Sequence, residues 1–226
     1  MTDLRSGFRP DSTLVGETNG SVSRSEQAYD HVRTGILRGE FPVGTPLSDI
    51  QIALALGMSK TPVRQALKLL EKEGLLERGP RRQLLVKGYS EEQRQEILEI
   101  REALEQLAVR QACRTMPSDE IDYLRLSLLR QRRAAEAGDE AAFIDLDESF
   151  HLMIAQGANL PIVFKFLSQL RGFVRIMRLG TTRSKGHLSR VLAEHDAIVE
   201  ALERRDEAAA ASALSKHLHT ADYDGN

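Results

Sequence analysis

Residues 48–87, SDIQIALALGMSKTPVRQALKLLEKEGLLERGPRRQLLVK, change their hydrophobic period from helix to strand, and that change decides the fold of the first part of the chain. Ser48 can cap a short helix that runs to about Leu56, where Gly57 supplies the C-terminal break. Ser59 opens another helix, with Pro62 still in its tolerant first turn and Val63, Ala66, Leu67 and Leu70 on one face until Gly74 ends it. Only Gly57-Met58-Ser59 separates the two helices, a turn short enough for them to cross steeply and expose the second. Beyond it, Leu75-Leu76-Glu77-Arg78 and Gln83-Leu84-Leu85-Val86-Lys87 read as two short strands around Gly79-Pro80-Arg81-Arg82. Helix, turn, helix and basic hairpin is the pattern of a winged helix-turn-helix.

Working outward, Ser23 and Glu26 form a capping-box pattern ahead of Ala28, Tyr29, Val32, Ile36 and Leu37, which predicts a helix from about 25 to 38, ended by Gly39. Residues 1–22 are rich in Gly, Ser, Thr and Asp without apolar period and read as a disordered tail. After Ser90, with Glu91 and Glu92 in the first turn, the chain is helical in period to about Asp222. Breaks at Met116-Pro117, Gly138, Gly157-Ala158-Asn159, Gly180–Gly186 and Asp206 predict six helices, at about 90–115, 118–137, 140–156, 160–179, 187–205 and 207–221. The fold expected is mainly α: a winged helix-turn-helix over 23–88 followed by an all-α antiparallel bundle over 90–222.

The 226 residues suffice for two small domains. Low aromatic content, 5% with no Trp, argues against an all-β sandwich. No run approaches the length of a membrane span and the N-terminus lacks a secretory pattern, so the expectation is a cytoplasmic protein with no membrane partner. The single cysteine, Cys113, fits a reducing compartment, and any metal must be held by His and carboxylates. The net charge of -2 hides an asymmetry: residues 21–88 carry 11 Lys or Arg against 7 Asp or Glu, while residues 89–226 are acidic. That asymmetry suggests that only the first part meets a polyanion, although modest charge differences between domains are common.

On the second helix of the motif, Lys60, Thr61, Arg64 and Gln65 face away from Val63 and Leu67, and these side chains can donate to guanine edges or phosphates. Alone they would read as a solvated face. Arg78, Arg81 and Arg82 on the hairpin add a second cationic element and favour duplex DNA. In the second half, Asp147 and His151 are four apart and share a helical face, a geometry by which two ligands can share one metal. His195 lies among Leu188, Val191, Leu192, Ile198, Val199 and Leu202, and His217 among Ala210, Ala213 and Leu214. One inward His is ordinarily a core residue; three of six, with a carboxylate, point to a divalent ion, zinc first and nickel or manganese as alternatives.

The stretch from Pro42 to Arg82 resembles the DNA-binding domain of GntR-type bacterial transcription regulators, through Gly57 to Arg64 and Glu73-Gly74-Leu75. Ile50 stands where members often carry Arg, and Gln83 where they usually carry Gly. The second half resembles the helical FCD effector domain of the FadR subfamily: Arg101-x-x-Leu104-Glu105, Asp147-x-x-Phe150-His151, Asn159-Leu160-Pro161, Glu194-His195 and His217-Leu218, with Leu160 inserted in the usual Asn-Pro break. Six bundle helices are closer to the VanR-like branch. The resemblance implies a divalent metal on Asp147, His151, His195 and His217 and a small organic acid completing its coordination. Arg101 matches the Arg of the family's first motif, and a guanidinium can hold a carboxylate through two parallel hydrogen bonds. The alternative for Arg101 is a pair with Glu105 on a solvated face.

The expectation is a dimeric, ligand-responsive transcription regulator, usually a repressor, that binds palindromic operator DNA and is not an enzyme. A metal-dependent hydrolase using the same Asp and three His is the rival reading, though no separate general base or nucleophile motif accompanies them. A winged helix serving as a protein-docking module is a third, against which the cationic face counts.

Overall fold

A computed structural model describes residues 23–178 and 185–223; the tail expected over 1–22 and the break expected between Gly180 and Gly186 fall largely or wholly outside these residues. The first unit is built from α1 (Arg24–Leu37), β1 (Pro46–Leu47), α2 (Asp49–Ala55), α3 (Lys60–Lys72), β2 (Leu76–Arg78) and β3 (Leu84–Val86). Ser23 and Glu26 close the anticipated capping box on α1, each side chain taking the other's backbone N–H. Ser48 accepts from the Gln51 amide, but Ser59, at the N-cap position of α3, makes no side-chain cap bond. Val32 and Ile36 of α1 pack on Val63, Leu67 and Leu70 of α3, with Leu76 and Val86 of the sheet closing that core.

The hairpin forms as expected, with Arg78 opposite Leu84 and Leu76 opposite Val86. The structure adds β1, which pairs antiparallel with β3 through Pro46↔Leu85 and Leu47↔Leu84, giving the strand order β1-β3-β2. At the wing tip the left-handed residue is Arg82, φ 59°, a conformation a glycine would adopt without strain.

Six helices follow: α4 (Glu91–Thr115), α5 (Ser118–Ala137), α6 (Glu140–Gly157), α7 (Pro161–Arg178), α8 (Lys185–Glu203) and α9 (Glu207–Tyr223). Two- or three-residue connections join α5 to α6, α6 to α7 and α8 to α9, and these consecutive helices pack on one another. Their core holds Val109, Leu124, Phe150, Ile198, Leu202 and Leu214. No helix among the described residues is long and apolar enough to cross a membrane. One element bridges the two units: α7 contributes Ile176 and Phe173 to the core of the winged helix, Phe173 meeting Tyr89 edge-on at 5.8 Å.

Candidate functional site

On α3, burial of Val63, Ala66, Leu67 and Leu70 turns Lys60, Thr61, Arg64 and Gln65 to solvent. Two of the seven cationic or polar candidates have intramolecular partners that sequence alone does not give. Arg64 Nε lies 2.6 Å from Asp49 Oδ2 on α2, and Arg78 grips Glu71 of α3 with Nε–Oε1 at 2.7 Å and Nη2–Oε2 at 3.1 Å. The second pair ties the wing to α3. Arg81 and Arg82 are exposed at the hairpin tip.

In the bundle, α6 brings Asp147 and His151 to face His195 of α8 and His217 of α9, and all four are buried. His217 Nε2 is 3.1 Å from His151 Nε2 and 3.2 Å from His195 Nε2, and Asp147 Oδ1 is 3.4 Å from His195 Nε2 and 4.0 Å from His151 Nε2. The far side of each ring decides what these atoms carry. Nδ1 of His195 is 2.8 Å from Gln131 Oε1, Nδ1 of His217 is 3.2 Å from Glu194 Oε2, and Nδ1 of His151 is 2.7 Å from Glu105 Oε2. Gln131 Oε1 and Glu194 Oε2 are acceptors, so His195 and His217 carry the ring proton on Nδ1 and turn the Nε2 lone pair inward, whereas His151 Nδ1 approaches Glu105 without the alignment of a hydrogen bond.

The Nε2 atoms of three imidazoles and a carboxylate oxygen converge in the buried interior, and a divalent cation there would relieve the repulsion between their lone pairs. Ligand atoms about 2.1 Å from an ion stand about 3.0 to 3.4 Å apart at right-angled to tetrahedral spacing, which is the spacing of the shorter contacts here. Burial first, and then the neighbouring His217, hold the His195 imidazole well below its ordinary pKa, and burial likewise lowers His217. Both therefore stay neutral, the form that ligates. Burial pushes the Glu105 carboxyl up, but Arg101 and His151 outweigh it and hold it well below the usual carboxylate range.

Arg101 is inward, as expected, and buried; its Nε donates to Glu105 Oε1 at 2.7 Å. The pair with Glu105 thus forms, on a buried face rather than the solvated one. Arg101, Glu105, His151, Glu148 and Arg171 border a cavity of about 30 Å³ beside the cluster, closed on its other side by Leu152, Leu167, Leu170 and Val174. The sequence assigns no role to Gln131, Glu148 or Arg171, offers Glu194 only as a motif letter, and offers Glu105 as a motif letter and a partner for Arg101. A Gln on the buried side of α5 was the one available signal for Gln131. Gln131→Leu is expected to weaken zinc affinity by about 10- to 100-fold, the usual effect of losing an outer-shell partner, while leaving the helical circular-dichroism signal unchanged. Competition against a zinc chelator measures it, and an unchanged affinity would show that Gln131 does not orient His195.

A winged helix joined to a helical bundle with a buried Asp/His3 cluster defines a DNA-binding transcription regulator. The chain belongs to the GntR family: residues 24–86 match the bacterial regulatory proteins of the gntR family and residues 96–220 match the FCD domain. It is similar to the HTH-type transcriptional repressor RspR of Escherichia coli, 28% identical over 206 residues and covering 91% of this chain and 90% of that one. A probable D-xylose utilization operon transcriptional repressor of Paenarthrobacter nicotinovorans is 30% identical over 208 residues, 92% and 90% of the two chains. Among solved structures, E. coli McbR/YncC superimposes with a TM-score of 0.78 at 26% identity, over 88% of this chain and 95% of that one.

Proposed function

We propose that this regulator is a homodimeric repressor of the FadR subfamily, VanR-like branch, acting in the cytoplasm. It binds a palindromic operator through Lys60, Thr61, Arg64, Gln65, Arg78, Arg81 and Arg82, and senses a small organic acid at a divalent metal, zinc before nickel or manganese. Asp147, His151, His195 and His217 hold the ion. Its charge offers a carboxylate a partner, and Arg101 and Arg171 on the cavity wall add positive potential from the other side. The observation that carries this reading is the inward convergence of three Nε2 atoms whose Nδ1 sides each face an acceptor. Two names among the relatives, both repressors, support the direction of control. The hydrolase alternative uses the same ligands, and no specific observation favours it. A thermal-shift screen of organic acids, with zinc and with chelator, tests the sensing role: stabilisation by an acid that persists unchanged in chelator would overturn it.

Dimerisation would use the neighbouring helices α4 and α7, whose outer faces expose Ile100 and Leu107, and Ile162 and Phe166. Large apolar side chains at such spacing are better covered than solvated. The Leu107→Glu, Phe166→Glu double variant is therefore expected to sediment as a monomer with unchanged helicity. A dimer surviving both changes places the interface elsewhere.

A further inference from the structure

Besides the apolar contacts of Phe173 and Ile176, a buried guanidinium links bundle and winged helix. Arg175 of α7, whose side chain is only 10% exposed, donates from Nε to the carbonyl of Leu37 at 2.7 Å. Leu37 is the last residue of α1, where helix carbonyls lack intrahelical partners and the helix dipole is negative. The other side of the same guanidinium donates from Nη1 to Asp145 and lies 3.5 Å from Glu148 Oε2. Asp145 and Glu148 flank Asp147 on α6, and Glu148 lies within one turn of His151. Arg175 therefore touches the DNA-binding unit with one edge and the ligand-bearing helix with the other.

We propose that Arg175 is the positioning residue that transmits occupancy of the bundle site to the winged helix. The inference rests on the metal reading above and goes beyond it. Glu148 Oε2 also accepts from Arg171, at 3.1 and 2.8 Å, while Oε1 is buried with no hydrogen-bond partner. One carboxylate oxygen thus holds both an arginine of the cavity wall and the arginine that reaches α1. The cavity beside the cluster is small, about 30 Å³. Much of its lining is α7, through Leu167, Leu170, Arg171 and Val174, so an organic acid entering it would press on that helix. The same helix places Phe173 against Gly74, where an added Cβ would lie 3.3 Å from the ring. Admission of a ligand against α7, or tightening of α6 around an ion, would therefore act on helices that Arg175 ties to α1.

Hydrogen exchange on the full-length dimer, metal-free and with zinc chloride alone, tests this. In the parent protein zinc is expected to slow exchange in α6, α8 and α9, and also in residues 34–41 at the end of α1, the latter by about fivefold or more, the low end of ordinary coupling between sites. Arg175→Met should retain the first effect and lose the second. Arg175→Lys keeps the charge opposite Glu148, so it guards against a folding defect, but an ammonium lacks the planar fork that spans both partners and should also lose the second effect. Slowing at 34–41 that persists in both variants, or zinc protection of the parent's bundle without any change at 34–41, overturns the role of Arg175. No protection of the parent's α6, α8 and α9 would instead overturn the metal reading, and this inference with it.

Discussion

The His195→Ala, His217→Ala double variant is expected to purify with at least about tenfold less divalent metal than the parent chain, since losing even one outer-shell partner costs 10- to 100-fold in affinity. Two of the four inward donors disappear, and the two that remain, Asp147 Oδ1 and His151 Nε2, are 4.0 Å apart on a single helix. The parent should also melt higher with zinc in excess, by about 2.7 kcal/mol of stabilisation at a hundredfold over the dissociation constant, and the variant should not. Elemental analysis and paired melting curves check both statements. Because the substitutions leave Gln131 and Glu194 without their imidazole partners in the interior, some intrinsic destabilisation is expected as well. Asp147→Asn therefore serves as a milder companion: it keeps the volume and removes the anionic ligand. Parent-like metal content in the double variant would refute the ligand set outright.

The parts of this architecture that were legible from sequence are those written in local chemistry. Gly39, Gly57, Gly74 and Gly138 mark helix ends because each adopts positive φ, which other residues avoid, and Ser23 with Glu26 marks a start because the two side chains satisfy adjacent amides. β1 carried no such mark. Two residues, one of them Pro46, have no period, and the strand exists only because β3 offers a free edge. Ser59 shows the converse, a capping residue in the right place whose hydroxyl makes no cap bond. The same division runs through the site. Asp147 and His151 announce themselves by four-residue spacing, and His195 and His217 by lying on apolar stripes. Gln131 lies 64 residues from the ring it orients, and Arg175 lies 138 residues from the carbonyl it holds, so both relations are products of helix packing rather than spacing. The wing tip falls between. Its basic turn was legible, but not that Arg82 would occupy the left-handed position.

On DNA, Arg64→Ala is expected to cost about 1–3 kcal/mol on the operator and to relax sequence preference, the size of one good bidentate contact to a base. In the DNA-free protein Arg64 is tied to Asp49 at 2.6 Å, and the sign of the effect depends on which partner wins. The Arg64 side chain is 63% exposed, and ion pairs so open to water are worth about 0–1 kcal/mol. A guanine edge in a partly desolvated groove is therefore expected to outcompete the carboxylate, with Asp49 holding the guanidinium until then. Asp49→Ala should accordingly weaken operator binding less than Arg64→Ala does. Arg81 reports on a different term. Exposed on the hairpin beside Arg82, it is placed for phosphate, so Arg81→Ala should weaken specific and random duplexes nearly equally and reduce the dependence of log affinity on log salt by about one unit. Anisotropy titrations of both duplexes across a salt series separate the two behaviours, and equal operator affinity for Arg64→Ala and the parent would remove α3 as the reading element.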